Sequence, residues 1–428
     1  MVQTSFLGDM LTSLFERRRN TSTSSDTRPI EEMCLSLLAS AGEVSGIYLA
    51  KAILDRYAEL GTAQKLEFFR FLNDTLEMDA GNLCDLTQAY LDTGSVADYR
   101  AITIAAEPRR QELLRRLNQS AGATAQLVSM RVDLLGFLKD HPELKRCDFD
   151  FLHLLRSWFN RGFLVLRQIS WETPASILEK IVEYEAVHAI NDWEDLRRRL
   201  YPSDRRCFAY FHPTMPDEPL IFVEVALMKS VPSSIQHVLA ENRTPYQAAD
   251  TNVAVFYSIS NCQDGLQGVS FGNLLIKQVV DELSQQLPQL DTFVTLSPIP
   301  GFNDWLAAQT DTPITQHVLA GDASETEVET AAAHYLVNAK RPGGKPRDPV
   351  ARFHLGNGAI LHEVHANADL TAKGREQSSG AMVNYLYDLK RIEKNHEQFV
   401  HGQTIATSKP IASKAAAFVA MQKAVPTK

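Results

Sequence analysis

The strongest constraint on the fold of this chain is a change in the spacing of its apolar residues near Arg161. From about Glu31 to Phe159 these residues recur three and four positions apart, as in the run Leu127–Leu138, which is the period of an amphipathic helix. Pro108 and Pro142 fall at breaks in this period, where helices are expected to begin. The first part of the chain therefore predicts an all-helical domain.

After Arg161 the chain has short apolar runs rich in β-branched and aromatic residues, which are typical of buried strands. The predicted strands are Phe163–Leu166, Cys207–Phe211, Leu220–Leu227, Val253–Ile259 and Phe293–Leu296. Helices are expected through Ile177–Tyr184 and over Phe271–Gln286, and the polar stretch Thr310–Lys345 is expected to be helix plus loop.

The 428 residues suffice for two domains, which we place at residues 1–160 and 161–428. The 52 acidic residues outnumber the 43 basic ones, so no overall basic footprint points to a nucleic-acid partner. No apolar run of about 18 residues indicates a membrane span, and no secretory signal is recognised. The five cysteines lack CxxC spacing and are expected to be reduced thiols. We expect a cytoplasmic protein.

A glycine-rich segment, Gly265–Asn273, lies between a predicted strand and a predicted helix. Glycine lets backbone N–H groups approach an anion closely, and a helix N-terminus adds partial positive charge, so this layout suits a pyrophosphate. The spacing is not that of the dinucleotide-binding GxGxxG motif. An ordinary tight connection between strand and helix is the alternative interpretation.

Ser297 follows a predicted strand and precedes Pro298, and a second proline, Pro300, comes two residues later. A residue before proline is held extended, so the Ser297 hydroxyl would be presented in a restricted geometry. No GxSxG segment surrounds Ser297, which argues against a serine hydrolase. The alternative is a serine that only ends the strand or bonds its local backbone.

His354 lies in an apolar run that we interpret as a strand, Phe353–Ala359, just before a Gly-Asn-Gly turn. Its imidazole could exchange a proton near neutral pH, although a histidine in such a run is also a common structural residue. His362 and His365 are three residues apart, but no acid at suitable spacing completes a metal site. No metal site is therefore predicted.

Three segments together resemble malonyl-CoA decarboxylases in their order and spacing. They are Tyr257–Val269, Leu296–Phe302 and Phe353–Ala359. Four further segments support the resemblance: Trp158–Leu164, Glu185–His188, Glu218–Leu220 and Met382–Tyr387. The similarity covers most of the chain.

The resemblance implies an α+β multidomain fold, in which an all-helical N-terminal domain precedes a GNAT-like α/β acyl-CoA-binding domain with a mixed sheet. It implies conversion of malonyl-CoA to acetyl-CoA and CO2 without a metal, biotin or an organic cofactor. It also implies a homo-oligomer, dimer or tetramer, assembled through the helical domain.

By the same resemblance, Ser297 and His354 would act on the malonyl group, with Tyr387 assisting and Asn384 a weaker candidate. The CoA phosphates would be held by Gln267, Gly268, Val269, Ser270, Phe271, Gly272 and Asn273. Animal members of the family carry a glutamate in this turn where the present chain has Ser270. The bacterial form of the family is the better match.

Loss of CO2 from a β-carboxy thioester leaves an enolate, so the catalyst must align the carboxylate and stabilise the thioester oxygen. Our hypothesis is that Ser297 bonds the malonyl carboxylate and that His354 donates a proton to the enolate. Two other functions stay open: a GNAT-type N-acyltransferase that passes an acyl group to an amine, and a non-enzymatic acyl-CoA sensor whose helical half binds a partner.

Overall fold

The computed structural model describes residues 27–40, 42–269, 271–309, 312–402 and 404–423. The chain divides after Trp158 into two compact units. The first is helical and the second is built on a mixed sheet, so the predicted fold class is confirmed. Within the described ranges, no helix has both the length and the apolar character needed to cross a bilayer.

The first unit consists of helices whose apolar faces meet in one core. They are α1 (Ile30–Ala39), α2 (Glu43–Ala58), α3 (Thr62–Asp74), α4 (Ala80–Thr93), α5 (Val96–Ala105), α6 (Arg109–Leu117), α7 (Ala123–Phe137) and α8 (Lys145–Trp158). The three-and-four spacing puts large side chains such as Phe68, Phe69 and Phe151 on one side, and all three are buried in this core. Pro108 is the N-cap of α6 and Pro142 opens a short 3₁₀ turn, so both predicted helix starts are confirmed.

Helices α4 and α5 form a hairpin (Ala80–Ala105) that stands apart from this core. Gly94, in the left-handed conformation, ends α4. None of the described side chains of α4 or α5 is buried. Leu91, Val96, Tyr99 and Ile104 are 59–84% exposed, which leaves an apolar surface on the hairpin.

The second unit is organised around one mixed sheet. Its strands are β1 (Val165–Ile169), β2 (Arg205–Phe211), β3 (Ile221–Met228), β4 (Val253–Asn261), β5 (Thr292–Thr295), β6 (Ser297–Pro298), β7 (Ile360–His365) and β8 (Met382–Leu386). The strand order is β1-β2-β3-β4-β5-β8-β6, with β7 also paired to β8. Strands β4 and β5 run parallel, and the other described pairs are antiparallel.

The parallel pair separates part of the way along its length. The last paired residues are Phe256 of β4 and Thr295 of β5. Strand β4 continues to Asn261. The segment after β5 instead turns at Leu296 into β6, which pairs with β8. The sheet therefore opens beside Ser297.

Helices surround this sheet. They are α9 (Ala175–Tyr184), α10 (Trp193–Leu200), α11 (Ile235–Val238), α12 (Gly272–Gln286), α13 (Phe302–Ala307), α14 (Pro313–Ala320), α15 (Glu325–Asn338), α16 (Pro349–Gly356), α17 (Ala372–Ser378), α18 (Ile392–Gly402) and α19 (Lys409–Lys423). Every residue of β3 is buried, as expected of a central strand with both faces covered.

One sequence interpretation needs correction. The run Phe353–Ala359 was expected to be a strand, but His354 lies in helix α16. Asp348 caps this helix and Pro349 occupies its first turn, a start signal that outweighs the short apolar run. The stretch Thr310–Lys345, expected to be helix plus loop, contains helices α14 and α15 with loop around them in its described part.

Candidate active site

Ser297 lies where the chain leaves β5 for β6. Pro298 restricts it to extended backbone, and pairing with Val383 fixes its register on β8. Its Oγ donates to Thr295 Oγ1 (2.8 Å), which also accepts from the backbone N–H of Tyr385 (3.2 Å). Because Ser297 is 5% exposed, the protein and not bulk water orients its hydroxyl.

Asn384 holds the backbone next to Ser297. Its Nδ2 donates to the carbonyl oxygen of Thr295 at 2.8 Å, and its Oδ1 lies 2.5 Å from Nε2 of His365. Asn384 is fully buried, and a buried amide is stable only when it is hydrogen-bonded in this way. The side chain therefore fixes the strand end that presents Ser297.

His354 joins Ser297 to Tyr387. The imidazole Nε2 lies 3.2 Å from Ser297 Oγ, and Nδ1 lies 2.8 Å from Tyr387 Oη. The ring also stacks on Tyr385, with centroids 4.5 Å apart and planes at 24°. The structure thus brings the three predicted catalytic residues into one hydrogen-bonded chain.

Burial keeps this chain of groups uncharged. Desolvation lowers the pKa of His354 to about 3, and desolvation raises the pKa of Tyr387 well above its ordinary value. At neutral pH the imidazole therefore carries one ring proton. Since Ser297 Oγ donates to Thr295, the consistent arrangement has His354 Nε2–H donating to Ser297 and Tyr387 Oη–H donating to Nδ1.

Ser297 and His354 both line a cavity of about 230 Å³ at the opening of the sheet. Its other walls are mainly apolar and include Val187, Ile221, Phe256, Ile259, Pro298 and Phe353. A hydroxyl and a neutral imidazole thus face a small apolar space. Such a space strengthens hydrogen bonds to a bound charge, because little water competes for them.

The glycine turn lies after β4 and leads into α12. Gln267 and Gly268 are exposed, Gly268 has φ +87°, Val269 is half-buried and Phe271 is buried. Gly272 and Asn273 begin α12, and the N-cap side chain of this helix makes no capping hydrogen bond. Ser270 lies outside the described residues. The described residues of the turn are not among those that line the cavity around Ser297.

Sequence reasoning missed Thr295, Tyr385 and Asp348. Thr295 lies two residues before Ser297 and Tyr385 two residues before Tyr387. Residues two apart in a strand share a face, so this spacing was a usable signal. The Asp348-Pro349 pair was also a usable signal, because an aspartate followed by proline is typical of the start of a helix.

Across the part of the chain that the structure describes, no group of three or more His, Cys, Asp or Glu side chains could hold a metal ion.

Known families match both parts of the chain. The family described as "Malonyl-CoA decarboxylase N-terminal domain" matches residues 76–159, and "Malonyl-CoA decarboxylase C-terminal domain" matches residues 162–327 and 312–425. The mitochondrial malonyl-CoA decarboxylase of Mus musculus is 32% identical, covering 83% of this chain and 82% of the relative.

Two solved structures are closely similar. The malonyl-CoA decarboxylase of Rhodopseudomonas palustris has 46% identity and a TM-score of 0.85, covering 92% of this chain and 100% of the other. That of Agrobacterium vitis has 47% identity and a TM-score of 0.86, covering 90% and 99%. By family and by structure, this chain belongs to the malonyl-CoA decarboxylases.

Proposed function

We propose that the protein decarboxylates malonyl-CoA to acetyl-CoA and CO2, with Ser297, His354 and Tyr387 as its catalytic residues. The observation that carries the proposal is the neutral hydrogen-bonded chain from Tyr387 through His354 to Ser297, which ends at a small apolar cavity. The substrate is inferred from the similar proteins named above, all of which are named malonyl-CoA decarboxylases.

The proposed reaction breaks the bond between Cα and the carboxylate carbon. The electron pair moves onto the thioester and forms an enolate, and CO2 leaves. When malonyl-CoA binds, the Ser297 hydroxyl turns its proton from Thr295 Oγ1 to the malonyl carboxylate, and this hydrogen bond holds the carboxylate out of the thioester plane, where the breaking bond overlaps the carbonyl system.

Protonation of Cα completes the reaction. His354 donates its Nε2 proton to Cα while Tyr387 passes its own proton to Nδ1 and receives one from solvent, so that neither an imidazolium nor a tyrosinate forms. The net reaction consumes this one proton, and the imidazole proton returns to Nε2 before the next turnover. Burial supports this relay, since a buried imidazolium would be strongly disfavoured.

We place the CoA phosphates at Gln267–Asn273. This segment follows β4 on the side where the β4–β5 pair opens, and it leads into a helix N-terminus, whose partial charge attracts phosphate. GNAT folds bind an acyl thioester beside such a separated strand, which supports the placement.

The first alternative is acyl transfer to an amine. That reaction needs a base able to take a proton from an ammonium or amine acceptor. With a pKa lowered to about 3, His354 is a poor base but remains a hydrogen-bond and proton donor as a neutral ring. The low basicity of His354 therefore favours decarboxylation.

We also propose that the functional units are residues 1–160 and 161–428, and that the protein is a cytoplasmic homo-oligomer. The apolar surface of the α4–α5 hairpin, with Leu91, Val96, Tyr99 and Ile104 exposed, supports assembly through the helical unit.

The test is a product assay. Purified full-length protein is incubated with malonyl-CoA, and acetyl-CoA and CO2 are measured together; we expect them in equal amounts. In a parallel reaction, acetyl-CoA is offered with a panel of primary amines, and we expect no free CoA above background. Amine-dependent CoA release without CO2 from malonyl-CoA would replace the proposal by acyl transfer, and binding without either product would favour a sensor.

A further inference from the structure

The two segments that carry Ser297 and His354 come from distant parts of the chain, and they meet at Asp348. Asp348 Oδ1 accepts from the backbone N–H of Ala351 at 2.8 Å, which caps the helix that carries His354. Gly301, four residues after Ser297, packs against the same carboxylate: its backbone N–H stabilises the carboxylate charge, and a Cβ built on it would lie 3.9 Å from Asp348 Oδ2. One side chain thus holds both catalytic segments.

The fit around Gly301 is close. A Cβ placed on Gly301 would lie 2.5 Å from Tyr335 Oη, 3.7 Å from Tyr335 Cζ and 3.9 Å from Asp348 Oδ2. The backbone of Gly301, at φ −101° and ψ 9°, does not require glycine. Space, and not conformation, therefore selects glycine here, because the Tyr335 hydroxyl occupies the position of a side chain.

Asp348 is costly for the fold. It is 1% exposed, and burial raises the pKa of its carboxyl to about 6 although backbone N–H groups stabilise the charged form. Oδ2 and the hydroxyls of Tyr335 and Tyr385 have no hydrogen-bond partner among the described side chains and backbone. Each unsatisfied buried polar group lowers the stability of the fold, so a cluster of them is expected where it serves the site.

The same cluster reaches the imidazole from a second side. Tyr385, whose ring stacks on His354, is fully buried, and the Asp348 charge acts on its hydroxyl. Its backbone N–H donates to Thr295 Oγ1, the partner of Ser297. Movement of Asp348 would therefore disturb both ends of the Ser297–His354 hydrogen bond.

We infer that Asp348 is a positioning residue of the proposed decarboxylation: its carboxylate, packed against Tyr335 over Gly301, ties the loop after Ser297 to the helix of His354. It touches neither the substrate nor the reacting atoms. The inference rests on the proposed function, because the 3.2 Å contact that it maintains is the proposed catalytic one.

The first experiment compares Asp348→Ala with Asp348→Asn in steady-state turnover of malonyl-CoA. Asparagine can still accept from Ala351 N–H, so we expect kcat within about threefold of wild type; alanine cannot, and we expect kcat to fall at least about tenfold with KM changed less than about threefold. Asp192→Ala is the matched control, because Asp192 caps α10 through Asp195 N–H (2.7 Å) and should leave kcat unchanged.

A double variant separates positioning from general damage. If Asp348 acts only through the Ser297–His354 pair, Asp348→Ala should lower kcat no further in a His354→Ala background. Effects that multiply in the double variant, or an Asp348→Ala enzyme as active as wild type, would overturn the inference.

The space around Gly301 gives a test that leaves Asp348 intact. Gly301→Ala should lower kcat, because its methyl group collides with Tyr335 Oη. Adding Tyr335→Phe removes the colliding oxygen and leaves an ordinary contact of 3.7 Å, so activity should return in part. Full activity of Gly301→Ala, or no recovery of activity in the double variant, would contradict the proposed contact of Tyr335 and Asp348 with Gly301.

A readout without substrate keeps this inference distinct from the proposed function. In ¹⁵N-histidine spectra, the ring signal of His354, assigned by its loss in His354→Ala, should shift in Asp348→Ala and not in Asp192→Ala. If the variants show this pattern but the wild-type protein does not turn over malonyl-CoA, the proposed function is wrong and the positioning role of Asp348 is retained. An unshifted His354 signal in a folded Asp348→Ala protein would contradict the positioning role.

Discussion

The surroundings of His354 set the protonation state of its imidazole. Its ring is 3% exposed, stacked on Tyr385 and bonded on both nitrogens, so it stays a neutral donor where a free imidazole would be partly charged. The sequence pointed to Ser297 through the prolines after it. It could not show the burial of His354, because that burial depends on segments that are far apart along the chain.

At the residue scale we predict a pH dependence of stability. Desolvation lowers the pKa of His354 to about 3 and that of His188 to about 4, from 6.5. The unfolded chain therefore binds more protons than the folded one below the ordinary pKa. Stability from these groups is present above pH 6.5 and is lost as pH falls toward the folded values, by about 1.4 kcal/mol per pH unit for each.

Urea unfolding at about pH 6 and about pH 4.5 measures this effect. The variant His354→Asn lacks one titrating group, so its stability should depend less steeply on pH than that of wild type. Equal slopes for the two proteins would show that His354 is not held neutral by burial.

Among the elements, α16 was mistaken for a strand because an apolar run as short as Phe353–Ala359 fits either period. The helix is decided by its ends: Asp348 at the N-cap, and Gly358, with φ +83°, just past the last turn. Strands β6, β7 and β8 were not predicted. Strand β6 is two residues long and exists only through its pairing with β8, so no local pattern could specify it.

We predict that Gly358→Ala destabilises the second unit more than Gly321→Ala does. Both glycines have left-handed φ, +83° and +80°, so alanine costs about 1–2 kcal/mol at each. At Gly358 the added Cβ would also overlap the Ile392 carbonyl oxygen, whereas at Gly321 it meets nothing within 4 Å. Calorimetric melting temperatures should fall further for Gly358→Ala, and equal decreases would contradict the overlap.

For the whole molecule, the division into a helical and a mixed-sheet unit could be predicted, because apolar residues follow the helical period before Arg161 and form strand-like runs after it. The order of the strands could not. The opening between β4 and β5 beside Ser297 also needed the structure, since it follows from where β6 and β8 pair. The glycine turn could be placed between a strand and a helix but not relative to the cavity.

We predict that the α4–α5 hairpin mediates assembly. Leu91→Glu combined with Ile104→Glu puts charges on side chains that are 71% and 65% exposed, so the monomer should fold while its association weakens. Sedimentation velocity should show a smaller particle for this variant. Val132→Glu, at a 42% exposed position on α7, is the control and should keep the wild-type mass; an unchanged mass for the hairpin variant would assign assembly to another surface.

If the buried hydrogen-bonded chain from Tyr387 through His354 to Ser297 carries out the proposed decarboxylation, its loss should show in the steady-state kinetics of single variants. Ser297→Ala and His354→Ala should each lower kcat for malonyl-CoA by about 10²-fold or more, and together by little more than either alone, because the two groups act as a unit. Acetyl-CoA and CO2 formed at the wild-type rate by both single variants would show that this chain of groups is not the catalytic machinery.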